Sequence, residues 1–289
     1  HLFVFLVTYP LLLFLSYLPH SLLYLLSDFL SFVLYRIVKF RIEIVRKNLC
    51  LCFPKKSFKE IKEIERKFYK HFSDLMVEMI KNFSISKNEM MKRYKFHNIE
   101  LINKEEKKGK CTILLLGHFS NWEGMLTIGS HLIGNSYGIY TPLTNKFFEK
   151  KMSKSREKYG SFLLSRYKTF DFIESMKYSK DYGLFGFIGD QSPKKDSKSY
   201  IRTFMGVKVP VFTGAERIAK KYNFPVFYCQ INRVKRGFYK AEISALAKRP
   251  LEYKENEITN LFFNKLEKQI KQNPSEYLWS HNRFKYMVK

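Results

Sequence analysis

Thr112-Ile-Leu-Leu-Leu116-Gly-His118-Phe-Ser-Asn-Trp-Glu123-Gly124 is the stretch that decides the fold. An unbroken apolar run stopped by glycine reads as a buried strand, and the polar residues behind it open a helix. The same alternation continues downstream. Short apolar runs at Tyr137–Tyr140, Gly183–Ile188 and Pro225–Ile231 alternate with amphipathic stretches near 121–133, 145–159, 170–179, 213–222 and 255–272. Strands alternating with helices predict an α/β fold with a central mixed, mostly parallel sheet flanked by helices. Lys235-Arg236-Gly237, between two β-like runs, predicts a hairpin on one edge. Upstream, Ser57-x-x-Glu60 is a capping box opening a helix toward Phe83, and Ser86-x-x-Glu89 repeats the signal for a shorter helix.

The N-terminus is of another kind. Residues 1–27 hold no Asp, Glu, Lys or Arg, and Asp28 is the first formal charge. Pro19 divides this stretch, because the residue before a proline is pushed out of the helical region. One apolar segment is then Leu2–Leu18, at the short end of the spanning range, and a second is Ser21–Val38. Arg36, Lys39, Arg41, Arg46 and Lys47 follow, so the positive-inside rule faces this end toward the cytoplasm. The expectation is a hydrophobic helical membrane anchor at residues 1–40 and one catalytic-sized domain at 41–289; a buried core helix is the competing reading. A cleaved signal peptide is not expected, because no basic n-region and no A-x-A site flank the run.

Composition narrows the class. The chain has 289 residues, 45% of them apolar, enough for a substantial core, and neither disorder nor a disulfide scaffold fits. The four cysteines show no CxxC spacing and read as free thiols. Lys and Arg number 52 against 26 Asp and Glu, a net +26, which suits anionic partners such as nucleic acid, anionic lipid or an acidic protein.

Two readings of His118 and Glu123 compete. With His118 on the strand-to-helix turn, Glu123 in the first helical turn can reach back to the imidazole and hold its tautomer, leaving the other ring nitrogen as a general base. The carboxyl end of a sheet strand facing a helix start is also where α/β proteins place sites. Ser120-x-x-Glu123 is equally a capping box, in which case Glu123 only closes a helix.

At this point the residues resemble a known family. Gly117-His118-Phe-Ser-Asn-Trp-Glu123-Gly resembles the H-x4-(D/E) motif of the lipid A late acyltransferases, the lauroyl/myristoyl acyltransferases of bacterial lipopolysaccharide synthesis. Tyr140-Thr-Pro-Leu-Thr-Asn145, followed by Ser155-Arg156-Glu-Lys-Tyr-Gly160, is similar to a second block of that family. Gly189-Asp190-Gln191-Ser-Pro193 with Phe204-Met-Gly206 and Pro210 is similar to a third. Ala219 to Val226 and Tyr277 to Lys285 are similar to the last two, and Arg46-Lys-Asn48-Leu49 with Phe53-Pro54 to an upstream one. The likeness runs through nearly the whole chain, in order.

The resemblance implies transfer of a fatty acyl chain from acyl carrier protein to a hydroxyl of a hydroxyacyl chain on a lipid A precursor. It implies neither cofactor, metal nor covalent intermediate, and no H-E-x-x-H pattern is present. His118 becomes the general base oriented by Glu123, while Asn121, Arg156, Asp190 and Gln191 become candidate substrate contacts. The expected location is the cytoplasmic face of a bacterial inner membrane. The basic runs at 146–168 and 194–208 then suit glucosamine phosphates and an acidic carrier protein, although a solvated lysine-rich surface explains many of them. Another bacterial glycolipid or aminolipid as acceptor is the alternative. A basic nucleic-acid-binding protein leaves the charge-free N-terminus unexplained, and nucleic acid is not expected as a partner.

Overall fold

The five side chains of Thr112–Leu116 are all buried and divide between two cores, Ile113 and Leu115 on one face, Leu114 and Leu116 on the other. A strand covered on both faces belongs in the middle of a sheet between helical layers. The computed structural model, which describes residues 2–179, 181–193 and 199–288, places it there.

In chain order the elements are α1 (Leu2–Tyr17), α2 (His20–Phe32), α3 (Ile42–Cys52), α4 (Phe58–Lys81), α5 (Lys87–Arg93), β1 (Tyr94–His97), α6 (Glu100–Glu106) and β2 (Thr112–Leu116). Then come β3 (Asn135–Tyr140), α7 (Lys146–Glu157), β4 (Ser161–Ser165), α8 (Thr169–Ser179), β5 (Gly183–Ile188), β6 (Tyr200–Phe204) and β7 (Val207–Val211). Last are α9 (Gly214–Tyr222), β8 (Val226–Lys235), β9 (Phe238–Ala247) and α10 (Glu257–Gln272). Seven strands form one sheet in the order β1-β9-β8-β2-β5-β3-β4, with only the β8–β9 pair antiparallel; β6 and β7 make a separate ribbon. The expected mixed, mostly parallel sheet flanked by helices is therefore present. Phe262, Phe263, Leu266 and Ile270 of α10 cover one face, and Met90, Ile102, Met125 and Ile128 the other.

Three local expectations change. The Lys235–Gly237 turn does join β8 to β9, with Gly237 at φ +76°, but β1 pairs parallel with β9 and takes the edge. Four-residue β1 is too short and too polar to announce itself. The stretch after His118 forms a tight 3-10 helix over Trp122–His131 in place of an α-helix. A Cβ at Gly129 would lie 2.1 Å from the Gly160 carbonyl, and one at Gly124 would strike the Tyr94 ring, so close packing dictates the backbone here. The box at Ser120 does not form either. Ser120 sits at φ +53°, and Asn121 caps instead, its side-chain oxygen accepting the Gly124 N–H at 3.0 Å. The boxes at Ser57 and Ser86 do cap their helices, though Glu89 turns its carboxylate to Arg93.

Pro19 separates α1 from α2 as expected, and both helices lie against α4. Ser27 Oγ donates to Asp74 at 2.6 Å, and Tyr24 OH donates to Glu78 at 2.9 Å. Asp74, fully buried, also accepts from Arg233 and Arg236, and Arg236 reaches on to Asp28. Among the described residues no single helix is long and apolar enough to cross a membrane. The helix running from His20 to Ile37 passes such a test only jointly with Ile42–Cys52, to which it is bent by 86°.

Asp74 is thus a buried anion holding two guanidiniums. Asp74→Ala should destabilise the fold by about 3–5 kcal/mol by stranding those cations. Asp28→Ala, at an exposed pair, should cost no more than about 1 kcal/mol. Urea denaturation of the two variants measures the contrast, and equal midpoints would contradict it.

Candidate functional site

The parallel register of β2 and β5 pairs Leu116 with Ile188. One glycine follows each strand, Gly117 and Gly189, and the next residues are His118 and Asp190. Equal offsets from paired strand ends bring these two side chains together. His118 Nδ1 lies 2.6 Å from Asp190 Oδ1, and the His118 backbone N–H donates to Asp190 Oδ2 at 3.1 Å. Asp190 is buried while the His118 side chain keeps 17% of its surface exposed. Burial pushes the Asp190 carboxyl up, but the attraction of His118 and the hydrogen bonds from its ring and backbone outweigh this, leaving a net downward shift. An ionised carboxylate on Nδ1 assigns the ring proton to that nitrogen and leaves Nε2 as the acceptor. Gln191 Nε2 faces it at 3.1 Å in the donor position, and the Trp122 ring meets the imidazole edge-on at 5.2 Å.

Here the sequence reading of Glu123 as the orienting partner of His118 is corrected. Glu123 accepts two hydrogen bonds from Arg156, Nε to Oε2 at 2.9 Å and Nη2 to Oε1 at 2.8 Å. The 3-10 backbone turns the carboxylate toward α7, where Arg156 sits in the last turn. The imidazole is held by Asp190, a residue assigned from sequence to substrate contact. Asn121 is also engaged internally. It is buried, its amide donates to Glu78 at 2.8 Å and its oxygen caps Gly124. Lys194, Lys195, Lys198 and Asp196 of the second basic run lie outside the described residues.

Sequence reasoning missed the C-terminal frame of the site. Phe119 and Tyr277 form a β-bridge, Ser120 N–H donates to the Glu276 carbonyl, and Leu278 N–H donates to the His118 carbonyl. Ser192 N–H donates to His281 Nε2 at 3.4 Å, and Ser192 Oγ donates to the Arg283 carbonyl. Burial lowers His281 to about 4. Trp279 and Arg283 are buried, and the segment they occupy also walls the His118 loop. The Tyr-Leu-Trp-Ser-His block was the available signal, but nothing local ties it to residue 118.

A second polar cluster lies behind the loop. Glu78 takes hydrogen bonds from Tyr24, Asn121 and Tyr239, and burial pushes its carboxyl up to about 7. His71, on the same helix, is lowered to about 4, first by burial and then by Arg233. Among the described residues no group of three or more His, Cys, Asp or Glu side chains could hold a metal ion.

A partly exposed imidazole with a buried carboxylate on its far nitrogen is an arrangement that can move a proton. Compared with known proteins, residues 2–286 match the family model described as bacterial lipid A biosynthesis acyltransferase. No curated protein matches the chain.

Two histidines and one carboxyl contribute to the acid response of the fold. His71 and His281, lowered from 6.5 to about 4, contribute stability that is whole above 6.5 and lost as pH falls toward 4. Glu78, raised from 4.5 to about 7, acts the other way, contributing stability below 4.5 that is lost as pH rises through 7. Two protons outweigh one, so these groups make urea midpoints fall between pH 6.5 and 4. His71→Gln should flatten that slope by up to about 1.4 kcal/mol per pH unit, the weight of one proton. A slope unchanged in the variant would contradict this.

Proposed function

The chain belongs to the bacterial lipid A biosynthesis acyltransferase family, and on that premise we propose that it moves a fatty acyl chain from an acyl-carrier-protein thioester to a hydroxyl of a hydroxyacyl chain on a lipid A precursor. Family membership makes it an acyltransferase with an acyl donor and a lipid acceptor. The observation that carries the finer reading is the His118–Asp190 pair, with Nε2 turned away from the carboxylate.

In the proposed reaction His118 Nε2 takes the proton of the acceptor hydroxyl while that oxygen attacks the thioester carbonyl. The Gln191 amide, donating to Nε2, occupies the place of the hydroxyl donor. Asp190 stabilises the imidazolium as it forms and fixes the ring. The tetrahedral adduct collapses, the carbon–sulfur bond breaks, and the thiolate leaves with the proton held on Nε2. An ester and a free carrier-protein thiol result.

The remaining residues take supporting roles. Arg156 spends two of its five N–H donors on Glu123, and its other donors suit a phosphate or the acidic carrier protein. Asn121 acts by positioning, since it caps the turn that carries Trp122 and Glu123. Residues 1–40 seat the enzyme on the cytoplasmic face of the inner membrane, and 41–289 form the catalytic body.

The test is initial velocity with an acyl-carrier-protein donor and a hydroxyacylated lipid A precursor, the ester product being read by mass spectrometry. His118→Ala and Asp190→Asn should each lose roughly 10²–10⁴-fold in kcat. Arg156→Lys keeps the charge but cannot make the two-bond contact with Glu123, and should raise KM more than it lowers kcat. If Asp190→Asn turns over like wild type, the assignment of the imidazole partner is wrong.

A further inference from the structure

We propose that α1 and α2 form a one-sided platform that lies in the plane of an anionic lipid surface without crossing it. This deepens the reading above and rests on it in one respect: the acceptor is a membrane lipid.

Each helix has two unlike faces. On α1, Phe3, Val7, Leu11 and Phe14 follow one another at helical spacing and are exposed, Phe3 at 77% and Phe14 at 66%. On α2, Leu22, Leu25, Phe29 and Phe32 do the same, Leu25 at 68%. The opposite faces are committed to the protein. Phe5 stacks on Phe147 of α7, Tyr9 packs edge-on against Phe83, and Lys81 Nζ donates to the carbonyls of Ser16 and Leu18 that end α1. Ser27 and Tyr24 are bonded to Asp74 and Glu78.

That inner face forbids a crossing. A transmembrane position would carry Asp74, Glu78 and Lys81 into hydrocarbon with the helices bonded to them. The helix that α2 begins could be extended only by α3, and α3 is built into the body. Val45 and Leu49 are fully buried, and Asn48 donates to the carbonyls of Trp279 and His281.

Charge selects the occupant. Arg36 and Lys39 follow the α2 stripe, and Lys151 of α7 lies over the Tyr9 ring of α1 at 5.2 Å. The one carboxylate within α1 and α2, Asp28, is paired with Arg236 and Lys70. A second copy would set cations against cations, whereas anionic headgroups complement an apolar strip with a basic border. Because α7 also carries Arg156, one of the helices touching α1 is the one bonded to Glu123.

The test uses the full chain, with a protease-cleavable tag ahead of His1, added to preformed vesicles of phosphatidylethanolamine and phosphatidylglycerol. Flotation should show binding that drops at least tenfold when phosphatidylglycerol is replaced by phosphatidylcholine. It should drop at least as far for Phe14→Asp/Phe29→Asp, while Phe14→Leu/Phe29→Leu binds like wild type. The melting temperature of each variant checks folding. If the aspartate pair fails to fold, Leu11→Ser/Leu25→Ser takes its place. The tag should remain cleavable from outside the vesicles. A protected tag means that α1 crosses, and it overturns the proposal. So does an aspartate variant that binds vesicles undiminished, or one that only dissociates an oligomer in sedimentation. Vesicle binding needs neither acyl donor nor acceptor, so a protein that floats with an accessible tag yet transfers no acyl chain refutes the function and leaves the platform standing.

Discussion

The pairing of Leu116 with Ile188 across two parallel strands is the constraint on which the site depends. Parallel strands held in register end level, so the residues just past them face each other over the sheet edge. A histidine on one and an aspartate on the other then meet at 2.6 Å with no help from the intervening sequence. A shift of one residue in that register would turn every side chain of β5 to the opposite face and separate the pair. The apolar cores on both faces, with Leu114 and Leu116 in one and Ile113 and Leu115 in the other, make such a shift prohibitive. Hydrophobic burial thus fixes the geometry of a polar pair in which no apolar atom takes part.

Two long-range attachments complete the frame. Asp74 gathers Ser27, Arg233 and Arg236, joining α2, α4 and the β8–β9 hairpin at one buried carboxylate. Glu78, one turn further along α4, gathers Tyr24, Asn121 and Tyr239. The same helix therefore holds the apolar N-terminus on one side and the cap of the His118 loop on the other. Arg156 reaches the loop from α7 through Glu123, so the carboxylate of the H-x4-E pattern serves as an anchor for a neighbouring helix.

How far the sequence carried the fold can be read from particular elements. Thr112–Leu116 and Gly183–Ile188 were legible because a buried parallel strand is a plain apolar run between glycines and polar residues. Tyr94–His97 and Ser161–Ser165 were not, because edge strands are short and half polar. His118 and Asp190 were both visible as candidates, but their partnership was hidden. It is a property of strand register, and proximity in sequence favoured Glu123. The 3-10 turn that sends Glu123 elsewhere follows from the close approach of Gly129 to Gly160, a contact between segments that no local pattern records. The role of residues 276–283 was hidden for the same reason.

That C-terminal segment imposes an order in time. The backbone of the His118 loop is tied to Glu276, Tyr277 and Leu278, and Ser192 next to the dyad is tied to His281 and Arg283. During synthesis the apolar helices leave the ribosome before the strands that carry His118 and Asp190. The wall around the loop is made after both. In a nascent chain the apolar helices are therefore made well before the His118 loop is braced.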